Sequence, residues 1–170
     1  MAEDVADTVS GLQNSCVTNF DSNDVMAYIL GRCQQKGITW NVTKAQKLLY
    51  CCYGTVLAGF GQELTEERPQ AWQYGPVFPR TFNGIKKNRI VPGLDNGFSK
   101  KCNPDWLPLM DQTISFFGLY SASQLSAWSH KSGSPWDRAT NGGTELLGQI
   151  PNEYIREYFS AMVNHGEASA

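Results

Sequence analysis

A run of apolar side chains recurs at helical spacing between residues 45 and 60, and no other feature of the sequence constrains the fold as strongly. The run forms a stripe wide enough for a helix that lies in a protein core. Thr43 and Gln46 have the spacing of a capping box at its start, and Gly59 and Gly61 mark its end. Its members are Ala45, Leu48, Leu49, Cys52, Tyr53, Val56 and Phe60.

Helical patterns also occur on both sides of this segment. Asp21 or Ser22 can cap a helix over about 22–36, and Gly37 is placed to end it in the left-handed conformation. In the second half, caps and apolar stripes predict further helices. Their start signals are Asn103, Ser121, Ser134 and Asn152.

The predicted architecture is mainly α, with five or six helices in a single compact domain over residues 21–163. The sequence also allows a small β-hairpin. A chain of 170 residues fits one such domain. Residues 1–20 are small, polar and acidic, so we predict a flexible leader, from which Val17 and Phe20 could dock on the core. Residues 164–170 are predicted to form a frayed tail.

The middle of the chain is less regular. Aromatic and polar residues alternate over 68–79, which indicates extended backbone. Pro76 disfavours helical geometry at Gly75 and can itself begin a helix. Residues 88–103 carry proline–glycine and asparagine–glycine turn signals and are predicted to be a loop, in which 89–91 favour a short strand.

The charge pattern argues against a nucleic-acid-binding protein. The formal net charge is −2, and residues 1–24 hold five acidic side chains and no Lys or Arg. The remainder is only weakly basic, whereas phosphate binding requires a clustered basic face. One concentration of basic residues exists, and we interpret it as a solvated loop and helix face. It comprises Arg80, Lys86, Lys87, Arg89, Lys100 and Lys101.

Cysteine usage and hydropathy predict a cytoplasmic protein. Five cysteines at irregular spacing do not form a secreted disulfide framework. The N-terminus lacks the pattern of a signal peptide, and no apolar run approaches the ~20 residues that span a bilayer. We therefore expect no membrane contact.

A search for catalytic chemistry finds little. The chain has two histidines and none of the usual zinc, nucleotide-binding or hydrolase motifs, so we predict no enzyme activity, no cofactor and no metal. His130 is the one ionisable residue of interest. We expect it to cap a helix C-terminus or to pack on Trp136. The alternative is a general base acting on Ser129, Ser132 or Cys102.

Aromatic residues fall into two groups. Trp128 and Trp136 lie in helical segments and are expected in the core. Trp72 and Tyr74 lie in the irregular stretch, where exposure and burial are equally plausible. Exposed aromatic rings are typical anchors of protein interfaces.

Three blocks, taken in order, resemble the Panacea domain family. The first is Thr43–Tyr50, which is similar to the family's helix ending in Lys-Leu-Leu-Tyr. The second is Ala71–Pro79, which holds the Trp-x-x-Gly-Pro-Val signature. The third is Leu125–Trp136, in which Ser129-His130 precedes Pro135-Trp136. Their order and spacing also agree with the family over about residues 22–162.

The resemblance implies a mostly helical antitoxin of the GepA-like or SocA-like kind, often carried by phages and other mobile elements. Such a protein would bind and neutralise a toxin from an adjacent gene. Motif residues expected to be structural are Gln46, Leu48, Leu49, Tyr50, Gly75, Pro76, His130 and Trp136. Candidate partner-binding residues are Gln70, Trp72, Gln73, Tyr74, Arg80, Lys86 and Lys87.

Alternatives to direct neutralisation stay open at this point. The resemblance to the SocA-like branch also implies a proteolytic adaptor that delivers a partner to a chaperone–protease, with the leader as tether. A general interaction module of a mobile element is the third interpretation. The identity of the toxin and the oligomeric state are not written in the sequence.

Overall fold

A helix buried on every side organises the structure. The computed structural model describes the backbone of residues 19–169 and the side chains of residues 19–162. In chain order the elements are α1 (Ser22–Lys36), α2 (Val42–Phe60), β1 (Gln70–Trp72), β2 (Gly75–Val77), α3 (Pro79–Lys86), α4 (Gly97–Lys101), α5 (Trp106–Phe117), α6 (Ala122–Ser129), α7 (Pro135–Thr140) and α8 (Asn152–Ser169). The predicted mainly helical domain with a small hairpin is confirmed, with eight described helices instead of five or six.

Helix α2 is the predicted core helix. Every residue from Lys44 to Leu57 is buried, so burial covers all sides of the helix and not only the apolar stripe. It packs against α1, α3, α5, α6, α8 and the hairpin. Such complete burial is typical of a helix at the centre of a core.

The start of α2 differs from the sequence prediction. The helix begins at Val42, and the Asn41 side chain accepts a hydrogen bond from the Lys44 amide at 2.9 Å. Thr43 is therefore inside the first turn, and the predicted capping box between Thr43 and Gln46 is wrong. Asn41 is an equally good cap, and it leaves the Gln46 side chain free to bind elsewhere.

Helix α1 matches its prediction. Asp21 caps it by accepting from the Asn23 amide, and Gly37 ends it with a φ of 69°. The chain before it adds to the core, because Phe20 is buried and its ring lies 5.0 Å from that of Phe98. Phe20 thus docks as expected, whereas Val17 and the rest of the predicted leader, 1–18, lie outside the described residues.

The segment after the hairpin corrects two predictions. Pro76 is a residue of β2, and Pro79 begins the following helix, α3. Either proline could occupy a first helical position, but pairing of β1 with β2 keeps Pro76 extended. The predicted loop 88–103 contains the short helix α4, which Asn96 and Ser99 open with a capping box. Residues 89–91 form no strand.

The second half contains the predicted helices, but the cap predicted at Asn103 is wrong. The N-cap residue of α5 is Asp105, without a side-chain cap bond, and the Asn103 side chain accepts from the Asp105 amide in the turn before the helix. Ser121 and Gln124 form a capping box at α6, and the Ser134 hydroxyl accepts from the Asp137 amide at α7. Asn152 is the first residue of α8, and its side-chain oxygen accepts from the Tyr53 hydroxyl at 2.6 Å. The backbone of α8 is helical to Ser169, so the helix extends into the tail predicted over 164–170. Fraying of this tail concerns motion and stays a prediction.

Helices α2 and α8 approach closely at a glycine. A Cβ atom added at Gly54 would lie 2.2 Å from the Phe159 ring, and Phe159 is fully buried. The ring has no free space to move into, since interiors are packed to the density of organic crystals. Gly54 therefore sets the distance between these two helices.

We expect Gly54→Ala to lower the free energy of unfolding by about 1–3 kcal/mol, the usual cost of overpacking. Gly59→Ala on the same helix is the matched control, because its Cβ would meet only Leu109 at 3.4 Å. Alanine is also a better helix former than glycine, so the control should be neutral or stabilising. Chemical denaturation of both variants checks this. Equal stability of the two variants would contradict the packing argument.

Candidate protein-binding site around the hairpin

The hairpin presents two residues to solvent at its tip. Trp72 in β1 pairs with Gly75 in β2, which leaves Gln73 and Tyr74 as a two-residue turn. Gln73 is exposed, and the Tyr74 side chain is 67% exposed. The side of β1 away from β2 is covered, because the Ala71 amide donates to the Gly148 carbonyl and the Ala71 carbonyl accepts from the Leu147 amide.

Side chains from three helices hold the backbone of this hairpin, and we call them the clamp. Each forms a hydrogen bond of 2.7–3.0 Å to a main-chain group between residues 72 and 78. The clamp residues are Gln46 on Phe78 N, Lys47 on Pro76 O, Ser126 on Tyr74 O and Trp136 on Trp72 O. The tip is therefore anchored on both strands.

Gln46 makes two bonds inside the core. Its Oε1 atom accepts from the Phe78 amide, and its Nε2 atom donates to the Thr81 hydroxyl at 2.7 Å. The amide side chain is 1% exposed, so both of its ends would lose water without these partners. Gln46 thereby joins α2 to the junction between β2 and α3.

Lys47 is a buried amine. Its side chain is 2% exposed, and its Nζ atom donates to the Pro76 carbonyl at 3.0 Å. Burial lowers the pKa of Lys47 from its ordinary value of 10.5 to about 8, against a smaller opposing effect of Cys51. Burial also raises the pKa of the Cys51 thiol, which favours the neutral thiol beside this amine.

Gly75 is required by close contact as well as by backbone conformation. Its φ is +120°, and a Cβ atom there would lie 2.3 Å from Ser129 Oγ and 3.1 Å from Lys47 Cε. The Ser129 hydroxyl is fixed, since it donates to the Ser126 carbonyl at 2.8 Å. Only glycine lets the hairpin lie this close to α2 and α6.

The three sequence blocks that resemble the family meet at this hairpin. The first block supplies Gln46 and Lys47, and its Leu48, Leu49 and Tyr50 are fully buried in α2. The second block is the hairpin itself, with Gly75 and Pro76 buried in β2. The third supplies Ser126, Ser129 and Trp136. The structure thus places the motif residues inside, around the clamp.

The candidate partner-binding residues lie in three places. Gln73 and Tyr74 form the exposed tip. Trp72 is half-buried on Phe82, with ring centroids 5.2 Å apart, and its Nε1 donates to the half-buried Gln70. The third place is helix α3, which carries Arg80 in its first turn and Lys86 and Lys87 at its end.

The basic candidates are not equivalent. Arg80 is occupied within the chain, because its guanidinium pairs with Asp21 at 2.6 Å and with Glu66 at 3.7 Å. Lys86 lies 5.6 Å from the centroid of the Phe82 ring, beside Trp72. Lys87 is exposed at the helix end. Trp72, Phe82 and Lys86 therefore form one surface, and Arg80 does not belong to it.

His130 has the structural environment predicted for it. It is the C-cap residue of α6, and its ring lies edge-on to Trp136 with centroids 5.4 Å apart. Ser129, the adjacent hydroxyl, donates to the Ser126 carbonyl instead of to the imidazole. His130 and Tyr74 also line a shallow cavity of about 420 Å³ beside the tip.

A second cavity was missed at the sequence level. It has a volume of about 480 Å³ and lies between α5, α6 and α8. Its lining is mostly apolar and consists of Phe116, Phe117, Tyr120, Gln124, Leu125, Ala127, Trp128 and Met162. The sequence did hold a signal for an uncharged surface at this place. Residues 112–130 contain no Asp, Glu, Lys or Arg, although 18% of the chain is charged.

Two classes of site are absent from the part of the chain described. No group of three or more His, Cys, Asp or Glu side chains there could hold a metal ion. None of the helices in residues 19–169 is long and apolar enough to cross a membrane.

We expect Gly75→Ala to destabilise the protein by at least about 1 kcal/mol more than Gly133→Ala. Both glycines have positive φ, but a Cβ atom at Gly133 has nothing within 4 Å, so the control isolates backbone strain from the contact with Ser129. Adding Ser129→Ala to Gly75→Ala should recover part of the loss. Thermal and urea unfolding measure both effects; strictly additive losses would contradict a direct contact.

The buried Lys47 predicts a pH-dependent stability. Since its pKa is lower in the folded than in the unfolded chain, the unfolded chain binds more protons between about pH 8 and pH 10.5. The stability contributed by Lys47 therefore rises with pH in this window. The free energy of unfolding of the natural protein relative to Lys47→Met should grow by about 3 kcal/mol from pH 7.5 to 10.5. A difference independent of pH would contradict this.

Comparison with known proteins agrees with the motif placement. The family described as Antitoxin SocA-like, Panacea domain, matches residues 46–137, which include all four clamp residues and the hairpin. Antitoxin SocA from Caulobacter vibrioides (strain NA1000 / CB15N) is 34% identical over 154 aligned residues, which cover 82% of each chain. No solved structure matches the chain. The chain therefore belongs to the SocA-like antitoxin family and carries its Panacea domain.

Proposed function

We propose that this protein is an antitoxin that neutralises a cognate toxin by direct binding, with the hairpin tip as part of the contact surface. The observation that carries this proposal is the contrast between the clamp and the tip. Four side chains fix the hairpin backbone from inside, while Gln73 and the Tyr74 ring at its end face solvent. Membership of an antitoxin family supplies the class of partner.

A fixed exposed tip favours binding for an energetic reason. Association costs conformational entropy when loops and side chains become ordered, and a pre-organised loop avoids much of that cost. Tyrosine is also a frequent anchor, because its large ring contributes contact area with few rotatable bonds. Trp72, Phe82 and Lys86 extend this surface along one side of the hairpin.

Binding rather than catalysis is also supported by the surroundings of His130. A general base needs a nucleophile within hydrogen-bond reach, about 2.6–3.2 Å. The hydroxyl next to it in the chain, on Ser129, is engaged with a backbone carbonyl, and the ring packs on Trp136. We therefore assign His130 to the support of the tip and not to a reaction.

Delivery of the toxin to a chaperone–protease is the alternative mechanism. It depends on the acidic leader, of which residues 1–18 lie outside the described part of the chain. The two mechanisms differ in a measurable way, because an adaptor lowers the amount of toxin whereas a direct inhibitor leaves it in a stable complex.

The first test is co-expression of the chain with each neighbouring open reading frame. We expect one neighbouring gene product to be toxic when expressed alone and tolerated when expressed with this chain. The two proteins should then purify as a complex with a stoichiometry of about 1:1 or 2:2 and a buried surface of about 1,200–2,000 Å². Toxin abundance is followed by immunoblot. Loss of the toxin in a protease-dependent manner would favour the adaptor, and the absence of any toxic neighbour would refute the proposal.

The second test is substitution at the tip. Gln73→Ala with Tyr74→Ala should weaken toxin binding tenfold or more, about 1.4 kcal/mol, because anchor aromatics contribute most of an interface's energy. Val91→Ala is the control, since Val91 is 78% exposed in the loop after α3 and lines neither cavity. Circular dichroism confirms folding of both variants. Normal neutralisation by the tip variant would exclude the tip from the interface.

A further inference from the structure

A surface without charge borders the apolar groove on its α5 and α6 sides. Residues 112–130 contain no Asp, Glu, Lys or Arg, yet nine of these residues are exposed. We call these exposed residues the neutral face. They are Gln112, Ser115, Phe116, Leu119, Tyr120, Ser121, Ser123, Gln124 and Ala127.

Large apolar side chains are exposed to solvent on this face. Phe116 is 54% exposed, Leu119 82% and Tyr120 41%. The Phe116 and Tyr120 rings lie with centroids 5.9 Å apart and form a ridge beside the groove. Aromatic enrichment together with depletion of charge distinguishes the centre of a protein interface from ordinary surface.

The groove itself is apolar and has room for more than one large side chain. Phe117, Leu125, Trp128 and Met162 line it beneath the ridge, and its volume is about 480 Å³. Trp128 is held from below, because its ring packs on Phe117 at 5.1 Å and on Phe159 at 6.2 Å between centroids. The base of the groove is therefore part of the core and does not collapse when the groove is empty.

We infer that this groove receives an apolar, uncharged helix face of the toxin, with large apolar side chains inserted over Trp128. This inference rests on the proposed function and names the kind of surface that the toxin presents. It adds a second contact on α6, the helix that also supports the hairpin tip through Ser126.

The absence of charge decides the chemistry of the occupant. A charged side chain that covered the neutral face would lose its water without meeting an opposite charge, at a cost of several kcal/mol. The nearest preceding charge in the chain, Asp111, is already paired with Arg32 and Lys36. Electrostatic complementarity therefore favours a partner face that is itself neutral.

The walls of the groove decide the conformation of the occupant. All three walls are helices, and the backbone groups of a helix are bonded within it. An extended segment in the groove would leave its own N–H and C=O groups without partners, whereas a helix satisfies them internally. The geometry thus favours recognition of a helix in a groove, with anchors at helical spacing.

The test compares two substitutions of equal size at one position. Ala127 is exposed on α6 and borders both the groove and the cavity beside the tip. Ala127→Glu introduces a charge, and Ala127→Gln introduces the same shape without one. The probe is the purified toxin identified by co-expression, titrated by calorimetry. We expect Ala127→Glu to weaken binding at least tenfold relative to Ala127→Gln, with equal melting temperatures.

Each outcome decides the inference. Equal affinity of the two Ala127 variants would overturn it, while weaker binding by the tip variant in the same assay would leave the proposed function standing. If the natural chain bound no neighbouring gene product, both proposals would fall together. If Ala127→Glu dissociated a homodimer in sedimentation analysis and left toxin affinity unchanged, the occupant would be a second copy, which also overturns the inference.

Discussion

The fold depends on a buried helix whose polar side chains bond to the main chain of its neighbours. Lys44, Gln46 and Lys47 are each at most 9% exposed within α2. The Lys44 amine donates to the backbone at the end of α5, and the Lys47 amine donates to the backbone of the hairpin. The Gln46 side chain accepts from the backbone at the start of α3. A buried polar group without a partner costs about 1–3 kcal/mol, so these bonds fix where each neighbouring element can lie.

The clamp follows from this constraint. A two-stranded hairpin is marginally stable on its own, and this one has only three paired positions. Hydrogen bonds from side chains of α2, α6 and α7 add the stability that so short a hairpin lacks. Gly75 allows the close approach that these bonds require. The sequence blocks typical of the family are thus explained as a device that holds a short hairpin in one position.

Charge is distributed unevenly over the described surface, and this bears on recognition. Arg80 and Asp111 are paired within the chain, and surface pairs of this kind contribute little stability. The neutral face has no such pairs and exposes aromatic rings instead. We propose that the strongest contacts with a toxin lie on the tip and on α6, with Lys86 of α3 at the edge of that surface.

The sequence by itself determined the helical class, the core helix and most helix boundaries. These depend on local periodicity and on caps such as Asp21 and Ser121, which act within a few residues. Several local signals were ambiguous, and tertiary contacts decided between them. Asn41 and Thr43 could both cap α2, and Pro76 and Pro79 could both begin α3.

Only the tertiary structure decided what the polar residues of the motifs do. Nothing in the sequence near Lys47 indicates that its amine meets the carbonyl of Pro76, because the two residues are 29 positions apart. The groove over Trp128 likewise exists only where three helices meet, although the charge-free run 112–130 was visible beforehand. Periodicity fixes which side of a helix is buried, but long-range packing chooses which atoms meet there.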